Sequence, residues 1–183
     1  MKLVMIDMDG VLANLDKEFE EWSGWHPENH PDRKTFFDKF LPEYTEHEGF
    51  YKQGLMPKAK ELVEFLIGLT VDYDVNLCIL TSAGHFCDPN TQVIVQKKNW
   101  LEDKLPDLRH IPFCVTSSGK TKSYLAHSNA FLIDDHKNNV KKFRQNDGQG
   151  FIYNPDKFDE LKDVLLEFVQ SDLDKLDSVV TLK

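Results

Sequence analysis

The sequence predicts an α/β fold, a parallel sheet with helices on both faces, and three observations carry that prediction. Short apolar runs recur without polar alternation, as strands buried on both faces do. Between them lie stretches whose apolar residues repeat at helical spacing, which parallel strands need for their crossovers. The chain has 183 residues, a length for one compact domain with room for a smaller insertion.

Taken in order, Leu3, Val4, Met5 and Ile6 make the first expected strand. From Asn14 to about Gln53 there is no strand candidate. Phe19, Trp22, Trp25, Phe36, Phe37, Phe40, Tyr44, Phe50 and Tyr51 crowd this stretch, and Pro27 and Pro31 interrupt any single long helix. It reads as a small, mainly helical insertion whose rings build most of its own core. Pro57 then suits the first turn of a helix carrying Ala59, Leu62, Val63, Leu66 and Ile67, with Gly68 as a stop signal. Residues 76–80 are the second expected strand, 93–105 a helix, 112–115 a weaker third strand and 120–126 another helix. Residues 130–133 and 150–153 supply strands four and five. Pro155 precedes an amphipathic helix with Leu161, Val164, Leu165, Phe168 and Val169 on one side. The crossovers are expected to be right-handed. The tail, 171–183, reads as a fraying end, with Asp172, Asp174 and Asp177 as a solvated face.

Composition narrows the function classes. Lysine and arginine number 22 against 31 acidic residues, a formal charge of −9, so no basic stripe is expected to hold duplex nucleic acid along its phosphates. An anionic partner must be small and met by a local cation. No stretch approaches the roughly 18 consecutive apolar residues of a membrane span, and the apolar run near the start stops at Asp7, too short for a signal peptide. The expected location is the cytoplasm. Cys78, Cys87 and Cys114 form no CxxC pair, and Cys78, inside an apolar run, reads as a small buried hydrophobe.

Chemistry in open α/β sheets gathers at the carboxyl ends of the strands. Asp7-Met8-Asp9-Gly10-Val11 follows the first strand and Asp134-Asp135 the fourth. Carboxylates brought together raise one another's pKa and call for a cation. Hard oxygen donors without a Cys or His partner favour Mg²⁺, which shares its shell with phosphates. Thr81-Ser82-Ala83-Gly84 after the second strand offers hydroxyls and amides to a phosphate, and Lys120 starts a helix just before the strand leading to Asp134. Gly119-Lys120-Thr121 is not a P-loop, because the first glycine of that motif would fall at Cys114. His26 and His30 would need a regular helix between them to share zinc, which the prolines oppose. His85 is a candidate pocket residue, and His136 would contact substrate or cap the next helix.

The ordered set Asp7-Met8-Asp9-Gly10-Val11, Thr81, Lys120 and Ile133-Asp134-Asp135 resembles the four motifs of the haloacid dehalogenase (HAD) superfamily of phosphotransferases. Gly49-Phe50-Tyr51 before Leu55-Met56-Pro57, with Leu80-Thr81-Ser82 and Phe131-Leu132-Ile133-Asp134-Asp135, is similar to the 5'(3')-deoxyribonucleotidase family. The resemblance implies a Rossmann-like parallel sheet flanked by helices, with residues 1–14 and 76–183 as the core and 15–75 as a helical cap insertion and return helix. It implies Asp7 as nucleophile and Asp9 as general acid and base. Mg²⁺ would be held by Asp7, Asp9 through its carbonyl, Asp134 and Asp135. Thr81, Ser82 and Lys120 would hold the phosphate, with Lys122 as the alternative lysine. Phe19, Trp22, Phe50 and Tyr51 are the cap rings expected to stack on a base. The family's arginine phosphate contact is absent from 116–121. The expected substrate is a small nucleotide, probed against other phosphate monoesters such as sugar phosphates or polynucleotide 3'-phosphates, and against a non-catalytic binding role. No membrane or duplex partner is expected, and a homodimer is compatible with the sequence.

Overall fold

The computed structural model describes residues 1–26, 29–30, 33–84 and 91–171, with the backbone alone for 33–38. Pro27, Pro31, His85, Cys87, Asp172, Asp174 and Asp177 lie outside the described residues, and nothing is assigned to the side chains of Phe36 and Phe37.

All five apolar runs are strands: β1 (Lys2–Ile6), β2 (Val75–Ser82), β3 (Phe113–Thr116), β4 (Ala130–Asp134) and β5 (Gln149–Ile152). They form one parallel sheet in the order β3-β2-β1-β4-β5. Alternate residues of each strand feed different cores, which is why the runs are continuously apolar. Val4, Ile6, Leu77, Ile79, Phe131 and Ile133 face the larger core, and Met5, Cys78, Leu80, Ala130 and Leu132 face the smaller one. Helix α4 (Ala59–Asp72) and helix α7 (Phe158–Gln170) cover the first face, while Phe143 of α6 (Lys137–Gln145) packs on the second. Cys78 is buried there, and burial pushes its thiol up to about 12. Its sequence reading as a hydrophobe therefore stands, since the thiolate is the reactive form.

The insertion after β1 is helical: α1 (Leu15–Ser23), α2 (Arg33–Glu46) and the single turn α3 (Gly49–Lys52). Asn14 caps α1 through its side chain and Gly24 ends it. Phe19, Leu41, Tyr44 and Phe50 form its core together with Ala83, Val93 and Ile94 of the sheet domain. Phe19 and Tyr44 stand with ring centroids 5.0 Å apart, Tyr44 and Phe50 5.2 Å. The outgoing and returning chains run side by side: Met56 N–H donates to the Leu12 carbonyl at 2.8 Å and Asn14 N–H to the Gly54 carbonyl at 2.9 Å.

Two local expectations are corrected. Pro57 is not the first helical residue, because Lys58 takes a left-handed conformation (φ 66°) and α4 starts at Ala59. Nor does Gly68 stop α4, which continues to Asp72 because Leu69 still packs in the core; a helical glycine costs only about 1 kcal/mol. The segment after β3 is a 3₁₀ helix, Gly119–Leu125, instead of an α-helix.

Helix α5 (Gln92–Lys104) joins the two parts. Val93 and Ile94, near its start, pack in the insertion's core, and Trp100 and Leu101, near its end, in the core of the sheet. Gln96 donates to the Thr45 carbonyl at 2.7 Å and Trp100 Nε1–H to the Gln53 carbonyl at 2.6 Å. Among the described residues, no helix is long and apolar enough to cross a membrane.

Candidate active site

In the order β3-β2-β1-β4-β5, the chain leaves β1 toward β2 on one side and later leaves β4 toward β5 on the other. The carboxyl ends of β1 and β4 therefore border the crevice where open α/β sheets hold their ligands. Ile6 pairs with Ile133, and Asp7 N–H donates to the Ile133 carbonyl at 2.9 Å. Asp7 and Asp134 consequently emerge side by side. Carboxylate oxygens of Asp7, Asp134 and Asp135 all lie within 4.8 Å of one another, a spacing that could hold a metal ion. His26 and His30 join no such cluster among the described residues.

Asp7 is 7% exposed. Its Oδ1 accepts from Met8 N–H at 2.8 Å, and its Oδ2 faces Lys122 Nζ at 2.5 Å. Asp134 is wholly buried and is held from several sides. Its Oδ1 accepts from His136 N–H at 2.9 Å and Asn139 Nδ2 at 3.1 Å, and its Oδ2 from Lys122 Nζ at 2.8 Å. Burial lifts the Asp7 carboxyl well above the usual range; Lys122 opposes the rise, and Asp134, Asp9 and Asp135 add to it. For Lys122, burial alone would lower the ammonium, but Asp7 and Asp134 outweigh it and hold the group above its ordinary value. Asp135 lines the cleft as an exposed residue, and partial desolvation there, with the Asp134 charge added, pushes its carboxyl up to about 7.

The loop after β1 is built for close approach. Met8 carbonyl accepts from the N–H groups of Leu12 and Ala13 at 2.8 and 2.9 Å, folding the chain back on itself. Gly10 has φ 76°, and a Cβ there would lie 2.5 Å from the Asp135 carboxyl, so both conformation and space require glycine. Across the crevice, Gly119 is equally constrained: a Cβ would sit 2.6 Å from the Asn139 amide.

The choice between the two lysines follows from the 3₁₀ turn. Residues three apart eclipse in such a helix, so Lys122 leaves on the same side as Gly119, toward Asn139 and Asp134. Lys120, one residue after Gly119, is turned away and stands exposed on the rim of the cleft. The lysine brought to the carboxylates is Lys122, the alternative of the sequence reading, and Lys120 is not among their contacts.

Thr81 is wholly buried at the end of β2, and Ser82 is half-buried on the cleft wall. The cleft has a volume of about 790 Å³ and opens on Asp7, Asp9, Gly10, Ser82, Lys122 and Asp135. Of the expected cap rings, Phe19 has no exposed surface and packs on Trp22 and Tyr44, so it presents no face to a ligand. Phe50 is 3% exposed and borders a smaller cavity of about 250 Å³ beside Asp9, Ser82 and Lys97. Tyr51 faces solvent and lines neither space; Trp22, half-buried, packs on Phe19, Phe40 and Tyr44.

Two side chains in contact with the candidate site residues escaped the sequence reading. Asn139 secures Asp134, and a lone polar residue near a helix start carries no signal of that. Lys97 is buried against Asp9, with its Nζ 2.9 Å from Thr81 Oγ1 and 3.0 Å from the Ser82 carbonyl. It had a legible signature: Val93, Lys97, Trp100 and Leu101 share the buried stripe of α5, and a lysine among core positions is rarely there without a partner.

No family model matches the chain, and no curated protein matches it. Solved structures do. A hydrolase from Streptococcus pneumoniae TIGR4 is similar at a TM-score of 0.51 and 14% identity, over 90% of this chain and 99% of that one. A hydrolase from Pseudomonas syringae follows at a TM-score of 0.48 and 16% identity, over 82% of each chain. A HAD family enzyme from Bacteroides thetaiotaomicron, an aspartate-to-alanine mutant in complex with magnesium and inorganic phosphate, has a TM-score of 0.47 and 14% identity over 85% of this chain and 95% of that one. At such identities the likeness is one of fold, and the first of them shares the α/β architecture over nearly the full length of both chains.

Proposed function

We propose that the protein is a Mg²⁺-dependent phosphomonoesterase of the HAD type that acts on nucleoside monophosphates, deoxyribonucleotides first. The observation that supports it is the convergence of Asp7, Asp134 and Asp135 with Lys122 at the crevice between β1 and β4. A buried carboxylate that borders a cleft, beside a fixed cation, is placed to attack an electrophilic phosphorus. The nucleotide preference rests on the resemblance of Gly49-Phe50-Tyr51 and its flanking motifs to the deoxyribonucleotidases.

An all-oxygen donor set of three carboxylates suits Mg²⁺. Asp7, Asp134 and Asp135, with the Asp9 carbonyl, would hold it, and when bound it supplies positive charge that offsets the carboxylates and a phosphate dianion. An Asp7 oxygen forms a bond to phosphorus as the phosphorus–oxygen bond to the ribose breaks. The leaving oxygen takes the Asp9 proton and departs as a nucleoside hydroxyl. Water then attacks phosphorus and returns a proton to Asp9, Asp7 is released, and inorganic phosphate leaves. Lys122 is the lysine assigned to the phosphate oxygens here, with Ser82 on the cleft wall and its buried neighbour Thr81 as the further candidates.

The test is a panel of dUMP, dTMP and sugar phosphates with Mg²⁺, run on the wild type and on Asp7→Asn. The wild type is expected to prefer the nucleotides. Asp7→Asn is expected to fall to background while its circular dichroism shows the fold intact. Full activity in that variant removes the mechanism, and preference for sugar phosphates removes the nucleotidase assignment.

A further inference from the structure

Lys97 sits outside every motif of the sequence, yet its ammonium touches two of the groups on which the proposed reaction depends. The residue is 1% exposed. An ammonium carries three N–H donors, and all three have acceptors: Asp9 Oδ2, Thr81 Oγ1 at 2.9 Å and the Ser82 carbonyl at 3.0 Å. The Phe50 ring closes a further side, its centroid 5.1 Å from Nζ. No hydrogen remains for a substrate, so Lys97 cannot serve as a phosphate or nucleoside contact in this arrangement.

What it can do is orient. One oxygen of Asp9 is tethered to Lys97, which fixes the plane of the carboxyl, while Asp9 Oδ1 is buried without a hydrogen-bond partner among the described residues. Of the two oxygens, Oδ1 is therefore the one whose hydrogen-bonding capacity is unused, and it is the oxygen that would carry the proton for a leaving group. The Thr81 hydroxyl already accepts a lysine hydrogen, so its own hydrogen points away from Lys97. The tether also runs between parts of the molecule. Lys97 belongs to α5, whose first turn packs in the insertion's core and whose last packs under the sheet.

We propose that Lys97 is a positioning residue that sets the orientation of the Asp9 carboxyl; this rests on the phosphatase reading above. Asp9 matters most when the leaving oxygen is a poor one. A nucleoside alkoxide needs a proton as its bond to phosphorus breaks, whereas 2,4-dinitrophenolate leaves without one. A loss transmitted through Thr81 falls on both substrates alike, and a loss transmitted through Asp9 falls on the alkyl ester alone.

The experiment compares kcat/KM for dUMP, or for whichever alkyl phosphate the wild type hydrolyses best, with kcat/KM for 2,4-dinitrophenyl phosphate. Lys97→Met keeps the length of the side chain and removes the charge; Asp9→Asn provides the reference pattern. Well-placed general acids contribute about 10²–10⁴-fold. Lys97→Met is therefore expected to lose about tenfold more on the alkyl ester than on the aryl ester, in the same direction as Asp9→Asn. Equal losses on the two esters, or none, overturn the proposal. Lys97→Gln reads the same ratio should the Met variant fail to fold. A wild type inactive on both esters removes the phosphatase reading and this inference with it. A selective loss in Asp9→Asn without one in Lys97→Met removes only the role of Lys97.

Discussion

Asp7 and Asp134 sit side by side, 7% and 0% exposed, and one ammonium, that of Lys122, lies within salt-bridge distance of both. Removing it leaves two enclosed carboxylates facing each other without their shared cation. Breaking a buried pair by deleting one partner costs about 3–5 kcal/mol. Lys122→Met should therefore lower the free energy of unfolding by about that much at neutral pH without Mg²⁺, as denaturant titration would read. Its turnover should fall about 100-fold or more, the scale of losing one fixed charge-stabilising group. Lys120→Met should stay within about threefold of the wild type, because an exposed rim lysine exchanges its contacts with water at little cost. A larger loss in Lys120→Met than in Lys122→Met would reverse the assignment.

Among the elements, the 3₁₀ turn of 119–125 decides which lysine reaches the carboxylates, and it does so through a contact of Gly119 with Asn139. A methyl at 119 would meet the Asn139 amide at 2.6 Å. Asn139 in turn donates to both oxygens of Asp134, at 3.1 and 3.2 Å. Gly119→Ala should thus displace the amide or the turn, with a stability loss of about 1–3 kcal/mol as for other overpacked sites and a parallel loss of turnover. Native melting and activity in that variant would show that the turn has room to shift. The same element shows why part of the site was legible from sequence and part was not. Strands could be read because burial on both faces leaves them apolar, as in β1 and β4, and their ends named Asp7, Asp134 and Asp135 directly. The lysine could not be read, since 120 and 122 differ only in which side of a turn they leave, and the turn's 3₁₀ geometry is set by tertiary packing. Phe19, Tyr44 and Phe50 were recognisable as an aromatic group, but rings that build a core and rings that line a cavity have the same sequence signature.

For the whole molecule, a charge of −9 makes the anionic substrate proposed above a problem to be solved locally in the crevice, and the crevice adds to it by gathering several carboxylates. The Asp135 carboxyl, raised from an ordinary value of 3.8 to about 7, makes the consequence measurable in the metal-free protein. Below about pH 4 both the folded and unfolded forms hold its proton. Between there and about pH 7 the folded form holds the proton and the unfolded form does not, so rising pH favours unfolding. Above about pH 7 neither form holds it, and the loss of stability is complete. Asp7 shifts in the same direction. Asp135→Asn removes that proton from the balance. In EDTA the melting temperature of the wild type relative to Asp135→Asn should therefore fall from pH 4.5 to pH 7.5. Millimolar Mg²⁺, by binding the folded form, should raise the wild-type melting temperature at pH 7.5 more than at pH 4.5, where protons compete for the same oxygens. Asp135→Asn, with one carboxylate fewer, should gain less. Calorimetry at both pH values, with EDTA and with Mg²⁺, reads all of this. A melting temperature indifferent to Mg²⁺ at pH 7.5 would mean that the three strand-end carboxylates do not form a cation site.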